Sequence, residues 1–276
     1  MNQSQQKRTK ASYLIFILAA VVLVCFRMIL KLDFIDPQTG FYNTHSVLNS
    51  AFAIVYAVFC LALLLFSYSD KENYEKKLLP PLKTISPLAT IFGMAIEAKA
   101  LTDGYGLFNQ IKSGEQFKTM DLLLNSITVL VSVVTGIVMI VLAVNMGTHS
   151  LKGYPSSIVL AITVLYQCLM LIERFTKHTS PITISDDMLE MVMLVFGILF
   201  MMAHARVITQ LNLNKGYRLL QFSGYAFALT ALILLLPELF GILIGRLEFE
   251  PAQTTVIVYD IFLMLYCIVF TRKVTH

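Results

Sequence analysis

The fold class of this chain is decided by residues 219–244, which read LLQFSGYAFALTALILLLPELFGILI. The run contains a single charged residue, Glu238, and it exceeds the roughly 20 apolar residues that a helix needs to cross a bilayer. Backbone polar groups cannot hydrogen-bond to lipid, so a segment of this kind satisfies its own hydrogen bonds as an α-helix. Residues 219–244 therefore predict a membrane-spanning helix.

Seven other segments have the same character, and the sequence predicts an all-α, polytopic integral membrane bundle of about eight transmembrane helices. We expect a single membrane domain over residues 1–276, with helices at roughly 12–31, 47–67, 85–101, 122–145, 156–174, 186–206, 219–244 and 253–271. The third helix is the weakest because it is short and contains Glu97 and Lys99, although Ser86 and Pro87 suit its cap and first turn. The composition agrees with this fold, since 14% of the residues are charged against about 25% in soluble domains.

The distribution of Lys and Arg predicts that both termini are cytoplasmic, because positive residues concentrate in cytoplasmic segments. With that orientation, the basic residues of the inner segments are Lys7, Arg8, Lys10, Lys71, Lys76, Lys77, Lys83, Lys152, Arg206, Lys215, Arg218, Arg272 and Lys273. Those of the outer segments are fewer: Lys31, Lys112, Lys118, Arg174, Lys177 and Arg246. We therefore expect an integral protein of the cell (plasma) membrane. The first apolar run is too long for a signal-peptide core, so we expect it to be retained as the first helix.

Charged residues inside the predicted helices share one depth, near the outer ends of six different segments. They are Arg27, Glu97, Lys99, Glu173, Glu190, Glu238 and Asp260. Ionisable groups in hydrocarbon are costly and normally face a bundle interior or a wet cavity. A rise of about 1.5 Å per residue places Asp260 ~10 Å inside the outer end of its helix. This shared depth indicates a functional site in the outer half of the membrane.

Some charges at this depth have a simpler explanation. Lys99 and Arg27 are long enough to reach the headgroups. Asp186 and Asp187 suit the first turn of a helix, where carboxylates interact favourably with the helix dipole. Purely structural pairing within the charged layer is therefore an alternative to a ligand site.

Glu238 and Asp260 are stronger candidates, because their short side chains lie too deep to reach the membrane surface. Pro237 removes a backbone donor beside Glu238 and should bend the helix. Tyr259 precedes Asp260, and aromatic groups with a few convergent polar groups are typical of a small-molecule pocket. The predicted ligand-binding residues are Arg27, Glu97, Glu190, Glu238, Tyr259 and Asp260.

The sequence contains no motif that predicts an enzyme, a cofactor or a metal site. It has no His-Glu-x-x-His helix, no phosphate-binding loop and no Gly-x-Ser-x-Gly elbow. Its four cysteines, Cys25, Cys60, Cys168 and Cys267, are isolated in apolar runs, which favours neither zinc nor disulfides. His204 is expected at the inner boundary of a helix. We predict no cofactor, and we favour a role without catalysis.

Four acids against one arginine among the predicted ligand-binding residues favour a small cationic or zwitterionic ligand, such as an amine or a metal ion. The leading hypothesis is a binding protein or transporter that takes this ligand from the outside. A carrier usually needs a site at the midplane with two exits, so charges confined to the outer half favour a receptor or sensor as the alternative. A structural subunit of a membrane complex and an intramembrane enzyme are further hypotheses.

Two connections carry expectations of their own. The basic inner segment 68–83 would contact a membrane or cytoplasmic partner protein. The outer segment near 102–121 contains glycines and amphipathic residues, which suggest a short structured lid or a surface helix. No basic patch of the kind that binds nucleic acid is visible, so the partners we expect are the lipid bilayer, the ligand and this partner protein.

Overall fold

Every described element of the computed structural model is helical, and the predicted all-α membrane bundle is confirmed. The structure describes residues 3–34, 47–69, 82–113, 119–148, 156–177, 185–245 and 254–275. Most of the predicted partner-binding segment, 68–83, lies outside these ranges. The helices are α1 (Gln3–Ile29), which continues into a π-helical turn (Leu30–Phe34), α2 (Val47–Tyr68), α3 (Ser86–Ser113), α4 (Thr119–Thr148), α5 (Ser157–Lys177), α6 (Ser185–Ile208), α7 (Leu213–Leu243) and α8 (Thr254–Thr275).

Seven of these described helices are long and apolar enough to cross a membrane. The exception is α3, where Glu97, Lys99 and Asp103 interrupt the apolar run. The chain is therefore a multi-pass helical bundle, and its one weak span is the helix whose sequence signal was weakest.

Most of the outer segment near 102–121 is a continuation of α3, which runs past its predicted end at 101 to Ser113. Lys99 and Asp103 stand one turn apart and form an ion pair across that predicted end, with Nζ and Oδ2 separated by 2.5 Å. A pair at this spacing stabilises a helix. The charges that ended the apolar pattern therefore extend the helix instead of terminating it.

Small and polar residues join α3 to α4. The Ser86 hydroxyl donates to the carbonyl of Ala143 on α4 at 2.7 Å, so this side chain links two helices and does not act as the predicted cap. Gly104 faces α4 as well, because a Cβ added there would lie 3.5 Å from Cγ1 of Val129. These contacts hold α3, the described helix without an apolar run long enough to cross a membrane, against a strongly apolar neighbour.

The central helix of the bundle is α7, which packs against α1, α2, α6 and α8. Every residue over 223–231 is buried, as expected for a helix that is hydrophobic on all faces. Gly224 allows close approach to α8, since a Cβ at that position would collide with the side chain of Thr271. Small residues are the usual means of close helix packing in membranes.

Both terminal helices meet at one end of the bundle. The guanidinium of Arg272, near the end of α8, lies 4.8 Å from the ring centre of Tyr13 in α1. We call this the termini end. At the opposite end, Arg27 of α1 is paired with Asp186 at the start of α6, and we call this the cavity end.

Candidate functional site

A cavity of about 280 Å³ lies at the cavity end of the bundle, and we call it the acidic cavity. Its walls come from the π-helical turn after α1 and from α5, α6, α7 and α8. Small-molecule pockets usually measure roughly 300–1,000 Å³ and combine apolar walls with a few polar groups, so this volume suits a small ligand. The lining residues are Lys31, Arg174, Asp186, Glu190, Met193, Leu234, Leu235, Glu238, Val256, Ile257 and Asp260.

One side of the acidic cavity is an ion-pair cluster that joins α1 to α6. Asp186 receives a hydrogen bond from the Arg27 guanidinium and lies 3.0 Å from Nζ of Lys31 through its other oxygen. Arg27 is completely buried, and its guanidinium carbon lies 5.5 Å from the ring centre of Phe52. Asp186 is therefore neutralised by two bases, and Arg27 shapes the cavity wall from behind it.

A second ion-pair cluster joins α5 to α6. The Arg174 guanidinium donates to Glu190, and also to Asp187 at 3.1 Å. Glu190 lies one turn after Asp186, so both carboxylates project from the same face of α6. Each thus faces the cavity with a basic partner already in place.

Glu238 and Asp260 differ from these two acids, because neither makes an ion pair or hydrogen bond with any of the described residues. Asp260 is only 8% exposed, although it lines the cavity. Its charged neighbours are Glu190, Lys99, Glu238 and Arg174. The acidic cavity therefore contains two carboxylates that form no ion pair with the described residues.

The position of Glu238 follows from the local sequence of α7. Pro237 is buried inside this helix, and it has no N–H to donate to the carbonyl one turn before it, that of Ile233. The chain nevertheless remains helical to Leu243. Polar backbone in a membrane helix is tolerated where it lines a cavity or is buried in protein, and here it lies beside the cavity.

The predicted ligand-binding residues divide into two groups. Glu190, Glu238 and Asp260 line the acidic cavity, and Arg27 contacts it through Asp186. Glu97 lies elsewhere, because its side chain packs against Gly136 of α4. Tyr259 is also directed away from the cavity lining, as described below.

Lys31, Arg174 and Asp186 line the cavity but were absent from the predicted site. Two of them carried a usable signal: Asp186 stands four residues before Glu190, and Arg174 stands seven residues after the buried Gln167. Both spacings return a helix to the same face. The signal was hidden because all three residues lie at helix ends, where charged residues are ordinary.

Tyr259 is part of a buried polar contact below the cavity. The Gln167 amide of α5 donates to the Tyr259 hydroxyl at 2.5 Å, and both side chains are completely buried. The rings of Phe92 and Tyr166 pack against Tyr259, with centroids 5.9 Å and 6.1 Å away. This arrangement ties α3, α5 and α8 together.

We expect Tyr259→Phe to lower the free energy of unfolding by about 1–3 kcal/mol, because the Gln167 amide would lose its buried hydrogen-bond acceptor. Tyr166→Phe is the matched control, since the Tyr166 hydroxyl is buried without a hydrogen-bond partner among the described residues, and its removal should be neutral or stabilising. Thermal unfolding of both variants in detergent checks the difference. Equal losses in the two variants would contradict a specific role for the Gln167–Tyr259 contact.

Towards the termini end, the interior is filled by an aromatic cluster of Phe200, His204, Tyr266 and Phe270. His204 is completely buried, and its Nε2 lies 2.7 Å from the Tyr266 hydroxyl. His204 lies four residues before the end of α6 and faces the interior of the bundle. This cluster separates the acidic cavity from the termini end.

The acidic cavity combines charged and apolar side chains. Among the described residues, no group of three or more His, Cys, Asp or Glu side chains is arranged to hold a metal ion. Glu238 and Asp260, which form no ion pair among the described residues, lie in this cavity beside apolar side chains such as Leu234 and Val256. Comparison of the chain with models of known protein families, with curated proteins and with solved structures found no match.

Proposed function

We propose that this multi-pass membrane protein binds a small cationic or zwitterionic ligand in the acidic cavity, either to transport it or to sense it. The observation that carries the proposal is Asp260, a buried carboxylate that lines the cavity without an ion-pair partner among the described residues. An uncompensated buried charge is costly, and such groups in membrane helices mark ligand or ion pathways. A bound cation would supply the missing charge.

The charged and the apolar lining residues suggest how such a ligand would lie. Its ammonium group would lie between Glu238 and Asp260, where charge-assisted hydrogen bonds are strongest. Apolar side chains such as Leu234 and Val256 would contact its hydrocarbon part. A ligand carboxylate would find unused donors on Arg174, because a guanidinium carries five N–H groups.

The closed aromatic cluster favours a receptor or sensor as the second candidate function. Transport requires a route from the acidic cavity to the termini end, and Phe200, Tyr266 and Phe270 are completely buried across that route. Uptake into vesicles separates the two functions, since a transporter accumulates the ligand whereas a receptor only binds it. In this proposal the cavity faces outwards from the plasma membrane, the termini are cytoplasmic, and segment 68–83 contacts a partner protein.

We expect the binding test to distinguish acids inside the cavity from an acid outside it. Purified protein would be screened by thermal shift against primary amines, amino acids and divalent cations. Glu238→Gln should weaken the binding of the stabilising compound by about tenfold or more, because a charge-assisted hydrogen bond contributes roughly 1.5–3 kcal/mol. Glu97→Gln is the matched control, and it should leave that binding unchanged.

Two outcomes would contradict the proposal. If no compound stabilises the wild-type protein and Glu238→Gln lowers its stability, the charges serve only to hold helices together. If Glu97→Gln weakens binding as much as Glu238→Gln does, the ligand site is not the acidic cavity.

A further inference from the structure

We propose that a groove between α5 and α6 at the termini end binds one anionic phospholipid, with its phosphate on Arg206 and an acyl chain along the groove. The groove has a volume of about 460 Å³. Its walls include Ala161, Leu165 and Cys168 of α5 and Met202, Ala205 and Arg206 of α6. We call it the α5–α6 groove.

The α5–α6 groove is lined by two alanines together with larger, mostly apolar side chains from both helices. Ala161 and Leu165 are one turn apart on α5, and Ala205 lies opposite them on α6. Ala161 is exposed and Leu165 is 49% exposed, so the groove opens sideways, to the lateral surface of the bundle. Because α5 and α6 are both candidate membrane spans, that surface faces lipid hydrocarbon. An acyl chain is the occupant that this environment supplies.

Arg206 gives the groove its charge. It lies in the last turn of α6, and among the described residues its guanidinium contacts only the Met202 sulfur, at 3.9 Å, with no carboxylate in ion-pair range. In the sequence, no Asp or Glu occurs in 122–172 or in 191–237, the two stretches that flank the groove. Neither the connection before α5 nor the one after α6 can supply a counter-ion.

An anion from outside the chain therefore fits this position. Lys152 and Arg218 lie in the same two acid-free stretches and add to the positive charge. A guanidinium binds a phosphate through two parallel hydrogen bonds, and basic pockets between membrane helices bind lipid headgroups. The combination of an apolar groove with one arginine at its end selects a phospholipid over a soluble anion, which would leave the groove unfilled.

The test compares lipids that share acyl chains but differ in headgroup. We expect phosphatidylglycerol added to delipidated protein in detergent to raise the Tm more than phosphatidylcholine with the same chains, and glycerol 3-phosphate to have no effect. Arg206→Gln should remove the difference between the two lipids, and native mass spectrometry should show one fewer bound phosphatidylglycerol. Lys215→Gln is the matched control, as an exposed basic residue of the same end outside the groove, and it should keep the difference.

Two more variants keep the test decisive if Arg206→Gln does not fold. Arg206→Lys should retain part of the preference for phosphatidylglycerol, and Ala161→Leu should weaken the binding of both lipids by filling the groove. A full effect of glycerol 3-phosphate would show a soluble-anion site and overturn the proposal. An equal loss in Lys215→Gln would show diffuse charge attraction and would also overturn it, as would an unchanged lipid count in Ala161→Leu.

Discussion

Asp260→Asn is expected to reduce binding in the acidic cavity at least about 30-fold, while the Tm of the ligand-free protein stays equal or rises. Removing one partner from a desolvated charge pair costs about 2 kcal/mol or more, which corresponds to that factor. The ligand-free protein gains because Asp260 lies near two other acids, Glu190 and Glu238, and their repulsion falls when one charge is lost. Isothermal titration and thermal unfolding of the same preparation measure both effects.

The opposite signs of these two effects make the experiment informative. Residues that serve a ligand commonly reduce stability, whereas residues that hold helices together increase it. Asp121→Asn is the matched control, because Asp121 is an exposed aspartate in the first turn of α4, and it should change neither quantity by much. A large fall in Tm for Asp260→Asn, without any effect on binding, would assign Asp260 to the structure alone.

Arg27→Met is expected to cause the largest loss of stability, about 2–4 kcal/mol in the free energy of unfolding. Breaking a buried ion pair by removing one partner costs about 3–5 kcal/mol. The loss here should be smaller, because the Asp186 side chain is 34% exposed and solvent screens part of the interaction. Chemical unfolding in mixed micelles would measure it.

The neighbouring base provides the control for this prediction. Lys31→Met removes the other basic partner of Asp186, whose Oδ2 lies 3.0 Å from Nζ of Lys31. This substitution should lower the free energy of unfolding by only roughly 1 kcal/mol, since Arg27 still pairs with the carboxylate. The double variant Arg27→Met with Asp186→Asn should recover part of the loss, because no unpaired carboxylate remains. Failure of the double variant to recover stability would show that Arg27 acts through packing against Phe52 and not through charge.

Several features of the charged layer followed from the sequence. The position of Glu190, Glu238 and Asp260 near one end of their helices was predictable because the rise per residue of a helix is constant. This common position is sufficient to predict that the three side chains lie at the same end of the bundle. The position of Glu97 outside the acidic cavity was not predictable in this way, since a common depth does not show which helices are adjacent.

The pattern of pairing depended on helix adjacency. Arg27 and Asp186 are separated by 159 positions in the chain, and only the packing of α1 beside the start of α6 brings them together. The same packing decides that Asp186 and Glu190 are ion-paired, whereas Glu238 and Asp260 form no ion pair with the described residues. Sequence alone had assigned Asp186 to the helix dipole, which describes its place in α6 but not its partners.

The sequence by itself determined the fold class, because about eight long apolar segments have no stable alternative to helices in a bilayer. It also determined the position of the charges along their helices and the acid-free stretches around Arg206. The tertiary structure alone decided the order of helices around α7, the membership of the acidic cavity and the α5–α6 groove. The physical reason is that lipid is as apolar as the side chains of a helix interface, so hydrophobic periodicity hardly distinguishes the face of a membrane helix that contacts protein from the face that contacts lipid.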